Sequence, residues 1–113
     1  MDRVIVKPYS KDKFEVAKDF KCYGYTIPEG FVTNGANIPR VFWSLFPPNS
    51  PEYLSAVVLH DYMCAKRGVF TYKEADEMFY RAMIEIGVAK WKAKLFYKSC
   101  RIYHKIFAIA KQP

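Results

Sequence analysis

The chain has 113 residues, 51% of them hydrophobic and 18% aromatic, enough for the core of one domain and too few for two ordinary ones. This composition excludes a disordered polar chain, and no apolar stretch approaches the roughly 20 residues of a membrane span. The formal net charge of +7 suits acidic partners such as nucleic acid, anionic lipid or an acidic protein surface, and equally a basic surface that serves solubility.

The opening "MDRVIVKPYSKDKF" has no apolar h-region followed by a cleavage site, so no secretory signal is expected. Cys22, Cys64 and Cys100 are odd in number, widely spaced and without a C-x-x-C pair. They read as free thiols of a reducing compartment rather than a disulfide frame or a zinc site.

Residues 4–27 read as strands. "RVIVKPYS" is short and β-branched, "KFEVAK" alternates apolar and polar, and "KCYGYTI" is again β-favouring. Together they predict an antiparallel hairpin or meander. "IPEGF" then predicts a tight turn, with Pro28 fixing φ and Gly30 free to adopt the left-handed conformation. Residues 31–50, rich in turn formers yet carrying Phe42, Trp43, Leu45 and Phe46, predict an irregular aromatic loop.

Three helices are expected after it. The first spans 51–66, opened by Asn49 or Ser50 as cap, Pro51 in the first turn and Glu52 near the positive end of the dipole. The second spans 73–86, where Thr71 and Glu74 form a capping-box pattern. The third spans 88–110, with an apolar stripe at Val88, Trp91, Leu95, Ile102, Ile106 and Ala110. The fold class is therefore α+β in a single domain over 1–113, β-rich to residue 30, irregular to 50 and helical to 110.

Charged groups inside an apolar helix need partners, because an unpaired buried charge costs several kcal/mol. "VVLHDYMC", residues 57–64, sets His60 and Asp61 in such a helix. If the first two helices fold back about Gly68, His60 lies eight residues before it and Asp76 eight after, so the two face each other. A carboxylate on one imidazole nitrogen fixes the tautomer, which serves a catalytic dyad and a buried structural lock alike. Asp61 is turned about 100° away and needs a partner of its own. Arg40 is one, and a bound cation is another. Asn34, Asn37 and the carbonyls of "TNGANIPR" beside Asp61 suit calcium or another divalent cation. Cys64 lies one turn from His60 and pairs with it either as a nucleophile or as a small apolar thiol. Lys90, Lys94, Lys98, Arg101 and Lys105 share one face of the third helix, as a solvated face or an anionic-surface contact.

"GFVTNGANIPRVFW", then "VVLHDYMC" and "EADEMF", resemble a family of uncharacterised proteins of roughly 100 residues, the size of one domain, common in tailed phages and prophages. Its pattern runs G-F-x-T-D-x-A-S-x-P-R, H-D-Y-x-Y and A-D-x-x-F. Gly30, Phe31, Thr33, Ala36, Pro39, Arg40, His60, Asp61, Tyr62, Ala75, Asp76 and Phe79 fit it. Asn34 stands in place of the usual Asp, Asn37 of Ser and Cys64 of Tyr. The resemblance implies a phage or prophage origin, in the host cytoplasm or a virion, and no set activity. A looser likeness, of helix-pair geometry only, is to secreted phospholipases A2. It implies His60 as general base, Asp61 as calcium ligand and Asp76 as orienting carboxylate, although the calcium loop and disulfides of those enzymes are missing here.

Three functions follow as expectations. One is a non-enzymatic module that binds a phage or host protein, with His60–Asp76 and Arg40–Asp61 as internal clamps and "PRVFWSLFPP" as core plug or contact surface. Another is a His/Asp-dependent hydrolase at the same residues. The third is binding of nucleic acid or another anionic surface through the basic helix.

Overall fold

The computed structural model describes residues 3–10, 13–33, 54–66 and 69–110, with side chains described to residue 106. Among the described residues, five short strands, β1 (Val6–Ser10), β2 (Lys13–Val16), β3 (Phe20–Cys22), β4 (Tyr25–Ile27) and β5 (Val32–Thr33), precede three helices. The helices are α1 (Leu54–Ala65), α2 (Tyr72–Glu85) and α3 (Lys90–Ala110). This is the α+β arrangement expected from the sequence.

The strands make two sheets. β1 and β2 are antiparallel, with Val6 opposite Val16 and Pro8 opposite Phe14. β3 and β4 form a separate hairpin whose two-residue turn, Tyr23-Gly24, has positive φ at both positions, 50° and 79°. Such turns match the right-handed twist of a hairpin. Glycine takes that backbone freely, whereas a tyrosine needs a reason. Here the Tyr23 hydroxyl donates to Glu85 Oε2 at 2.7 Å and the Arg81 guanidinium lies 4.8 Å over its ring. The hairpin tip is thereby fastened to the end of α2.

One boundary differs from the sequence expectation. Val32 and Thr33, assigned to the irregular loop, form β5 on the other edge of β2, with Phe14 opposite Thr33. Gly30, at φ 94°, turns the chain so that its N–H donates to Val16 O at 2.8 Å, and Val16 N–H donates to Phe31 O at 2.8 Å. A two-residue strand has no alternation of its own to read; the free edge of β2 makes it. The rest of that loop, the capping residues 49–52, Gly68 and the aromatic run 42–46 lie outside the described residues.

α1 buries residues on all sides, from Ser55 to Cys64, so it is the central helix of the core. Ser55 Oγ accepts from Val4 N at 2.9 Å, fastening the start of α1 to the N-terminal segment. α2 begins with the expected capping box: Thr71 Oγ1 accepts from Glu74 N at 3.0 Å and Glu74 Oε1 accepts from Thr71 N at 2.9 Å. It ends at Gly87, φ 94°, where Val88 N donates to Met83 O and Gly87 N donates to Ile84 O. Those two bonds are the Schellman pattern, with Val88 and Met83 supplying its apolar contact.

The face of α3 also differs from expectation. Trp91, Ile102 and Ile106 of the predicted stripe are 64%, 60% and 63% exposed. Leu95 is half-buried and only Val88 of the described stripe residues is in the core. The helix instead turns Ala93, Phe96, Cys100 and His104 inward. Phe96 packs 5.9 Å from Phe79, and the polar contacts described below hold the rotation.

Replacing Thr71 by Ala removes one half of the capping box and is expected to cost about 1 kcal/mol. Thr71→Ser should restore most of it. Urea denaturation of the three proteins measures this, and equal midpoints would contradict it.

Candidate functional site

α1 and α2 pack as an antiparallel pair, which brings residue 60 level with residue 76. His60 Nε2 lies 2.7 Å from Asp76 Oδ1. α3 adds two more partners on the other oxygen: His104 Nδ1 at 2.8 Å and Arg101 Nη1 at 3.0 Å from Oδ2. His60 and Asp76 are fully buried, and His104 nearly so. Asp76 thus takes hydrogen bonds from side chains of both neighbouring helices.

An ionised carboxylate only accepts, so the ring nitrogen of each histidine that faces Asp76 carries a proton and donates it. Arg101 carries the fixed positive charge that a buried carboxylate needs. The rings are fixed by stacking as well. His60 lies on Phe79 at 4.6 Å, and His104 lies on Tyr72 at 4.1 Å with planes 6° apart. Among the described residues, buried His60 Nδ1 has no hydrogen-bond partner. Burial by itself raises the Asp76 carboxyl, but the hydrogen bonds from His104 and His60 outweigh it and bring the group from 3.8 down to about 2.

Asp61, one residue along, faces the sheet. The Thr33 hydroxyl of β5 donates to its Oδ2, which links the sheet to α1. Asn34, Asn37 and Arg40, the other residues proposed around Asp61, lie outside the described residues. Tyr62 packs edge-on against Phe31 at 5.5 Å, with the Lys66 ammonium 5.5 Å from its ring centre. Cys64 Sγ sits 3.7 Å from His60 Nε2 and is buried.

Of the five cations placed on one face of α3, Lys90, Lys94, Lys98 and Lys105 are exposed. Arg101, the fifth, is half-buried. It is at the edge of the face nearest His104, and its guanidinium turns to Asp76. A long side chain at a boundary position goes where its charge is most needed. The sequence reading missed Arg101, His104 and Cys100 as members of the buried cluster. One signal was present: Cys100 and His104 repeat on α3 the four-residue spacing of His60 and Cys64 on α1. It was outweighed by the larger apolar residues of the opposite face.

Asp76→Asn keeps the shape but replaces one accepting oxygen by a donor, leaving a histidine or Arg101 facing an N–H. The expected cost is about 3–5 kcal/mol, as for a buried pair that loses one member. The wild type should also lose about 2 kcal/mol of stability in acid. Because the folded value is the lower one, that stability is present above about 3.8 and disappears as the pH falls through about 2. Denaturation at stepped pH measures both; an Asn variant with the same acid profile as wild type would contradict the assignment.

Among the described residues, no helix is long and apolar enough to cross a membrane. The chain is 35% identical over 96 residues to the uncharacterized protein y4jT of Sinorhizobium fredii (strain NBRC 101917 / NGR234), a match covering 80% of this chain and 28% of that protein. It is 35% identical over 80 residues to the uncharacterized protein y4iH of the same strain, covering 70% of this chain and 33% of that protein. The chain therefore spans about a third or less of these relatives. No solved structure matches it. A family model described as a protein of unknown function, DUF1353, matches residues 11–100, taking in β2 to β5, Asp61 and the His60–Asp76 pair, and the chain belongs to that family.

Proposed function

We propose that this chain is a non-enzymatic binding module of phage or prophage type, virion-associated or host-directed, in which His60–Asp76 is an internal clamp. One observation carries the reading. Asp76 is fully buried and its two oxygens are spent on His60, His104 and Arg101, side chains that hold α1 and α3 to α2. A general base must reach a proton of its substrate or of a water, and His60 is 0% exposed. In the same reading Asp61, which accepts from Thr33, is the second clamp, with Arg40 as its charge partner. The resemblance of the "GFVTNGANIPR", "HDY" and "EADEMF" segments to the phage family supports the origin. The greater length of the Sinorhizobium relatives suits a module used within larger proteins.

The chain's two histidines are His60 and His104, which makes the test simple. Diethyl pyrocarbonate should modify neither in the native protein, and their reaction rate should track global unfolding in urea. Fast modification of His60 in the folded chain would show a reachable imidazole. That would overturn the clamp in favour of the hydrolase, with Asp76 as orienter and Asp61 beside it.

The binding surface in this proposal is the basic edge of α3, toward an acidic protein face or nucleic acid. It is supported by a groove of about 380 Å³ lined by Glu77, Tyr80, Lys94, Tyr97 and Lys98. Flat rings beside ammonium groups suit an anionic partner with planar or apolar parts. Lys94→Glu/Lys98→Glu should weaken salt-dependent retention on a polyanion column well beyond Lys18→Glu/Lys73→Glu, which changes the net charge equally elsewhere. Equal losses would reduce the effect to net charge.

A further inference from the structure

α3 has a second apolar face. Its core side carries Ala93, Phe96, Cys100 and His104. At about 100° per residue, Trp91, Ile102 and Ile106 fall on the opposite side, with Leu95 between them. Trp91, Ile102 and Ile106 are each more than half exposed, and Leu95 is half-buried. From Trp91 to Ile106 this ridge is about 22 Å long, at about 1.5 Å per residue. The other exposed large apolar side chains among the described residues, Ile5, Tyr9, Val69 and Ile84, are spread over other parts of the chain. Single exposed apolar residues need no explanation, whereas a line of them along one helix marks a contact surface. From this geometry we infer that the outer face of α3 docks on an anionic lipid bilayer, lying in the plane of the interface.

Charge selects the occupant. Residues 86–113 contain no Asp or Glu. Lys90, Lys94, Lys98 and Lys105 are exposed along one flank of the ridge. Lys92 lies along the other flank, its ammonium 5.9 Å from the centre of the Trp91 ring. Glu77 lies on the α2 side, lining the groove beyond Lys94 and Lys98. An apolar line between two rows of ammonium groups is the pattern of an interfacial helix. The apolar side chains enter the boundary between headgroups and acyl chains, and the lysines reach back along their own stems to the lipid phosphates. A tryptophan ring is well suited to the headgroup level. Each lysine held near an anionic leaflet strengthens binding about fivefold.

Other occupants satisfy only part of this surface. A second copy of the chain would set one row of lysines against another, and like charges brought together oppose association. Nucleic acid would use the lysines and the rings of Tyr80 and Tyr97, but it would leave Ile102 and Ile106 in water, because aliphatic side chains neither stack on bases nor pair with phosphate. A bilayer takes up the ridge and the lysines together, and needs no matching groove. The ridge shares Lys94 and Lys98 with the groove described above, but Trp91, Ile102 and Ile106 belong to it alone, so the two contacts can be tested separately.

The test is sedimentation of the full-length chain with vesicles of phosphatidylcholine, alone or with about one-third phosphatidylserine. The chain should sediment with the anionic vesicles, be released as salt is added, and stay in solution with phosphatidylcholine alone. Trp91→Ser/Ile102→Ser keeps every lysine and changes only exposed side chains. It should weaken vesicle binding at least about tenfold, the effect of leaving two large apolar side chains unburied, and leave retention on a polyanion column unchanged. Ile5→Ser/Val69→Ser, exposed elsewhere, should bind as the wild type does. A second measurement does not depend on the double variant: in Trp43→Phe, Trp91 is the remaining tryptophan, and anionic vesicles should move its emission to shorter wavelength. No sedimentation with anionic vesicles, undiminished binding by folded Trp91→Ser/Ile102→Ser, or an unmoved Trp91 emission would overturn the bilayer contact. An equal loss of polyanion retention in that variant would assign the ridge to nucleic acid instead, and a dimer of the wild type that the variant abolishes would assign it to a second copy.

Discussion

A carboxylate taken out of water must recover most of the several kcal/mol that desolvation costs it, and the way Asp76 does so organises the helical half of this protein. Its own helix supplies no donor to it. His60 comes from α1, and His104 and Arg101 come from α3, so the charge is tolerated only when all three helices are in place. Asp76 therefore specifies the assembly as well as contributing to it. A shifted register on α1 or a rotated α3 would leave a buried charge with too few partners. The rotation seen for α3, with Trp91, Ile102 and Ile106 outward, is the one that delivers His104 and Arg101.

The motif residues form a chain of contacts from the sheets into this cluster. Gly30 turns the backbone, Phe31 packs on Tyr62, Thr33 donates to Asp61, and His60 donates to Asp76 while stacking on Phe79. His60 and Asp61 are adjacent in sequence yet serve different elements, because one helical residue is a turn of about 100°. Asp61 looks to β5 and His60 to α2 and α3. The apparent H-D unit is thus two separate fastenings that share a short piece of helix.

This division separates the buried chemistry from the surface. Lys90, Lys94, Lys98 and Lys105 face solvent with Trp91, Ile102 and Ile106, while Cys64, Cys100 and both histidines lie inside. The first group is open to solvent, and in the second the two histidines are held against Asp76. The two groups share α3 and divide its residues between the interior and the surface.

What the sequence determined by itself was local. The capping box of Thr71 and Glu74, the end of α2 near residue 86, the three helices and the antiparallel strands were legible because each depends on neighbours a few residues apart. The His60–Asp76 contact was legible for nearly the same reason, as a hairpin of two helices about a short loop leaves little choice of register. Tertiary structure alone decided β5, which exists only against the edge of β2, and the face that α3 buries. By apolar count that helix should bury Trp91, Ile102 and Ile106. Instead it buries Phe96, Cys100 and His104, because the need of one buried carboxylate for donors from another helix is a long-range constraint that hydrophobic spacing does not record.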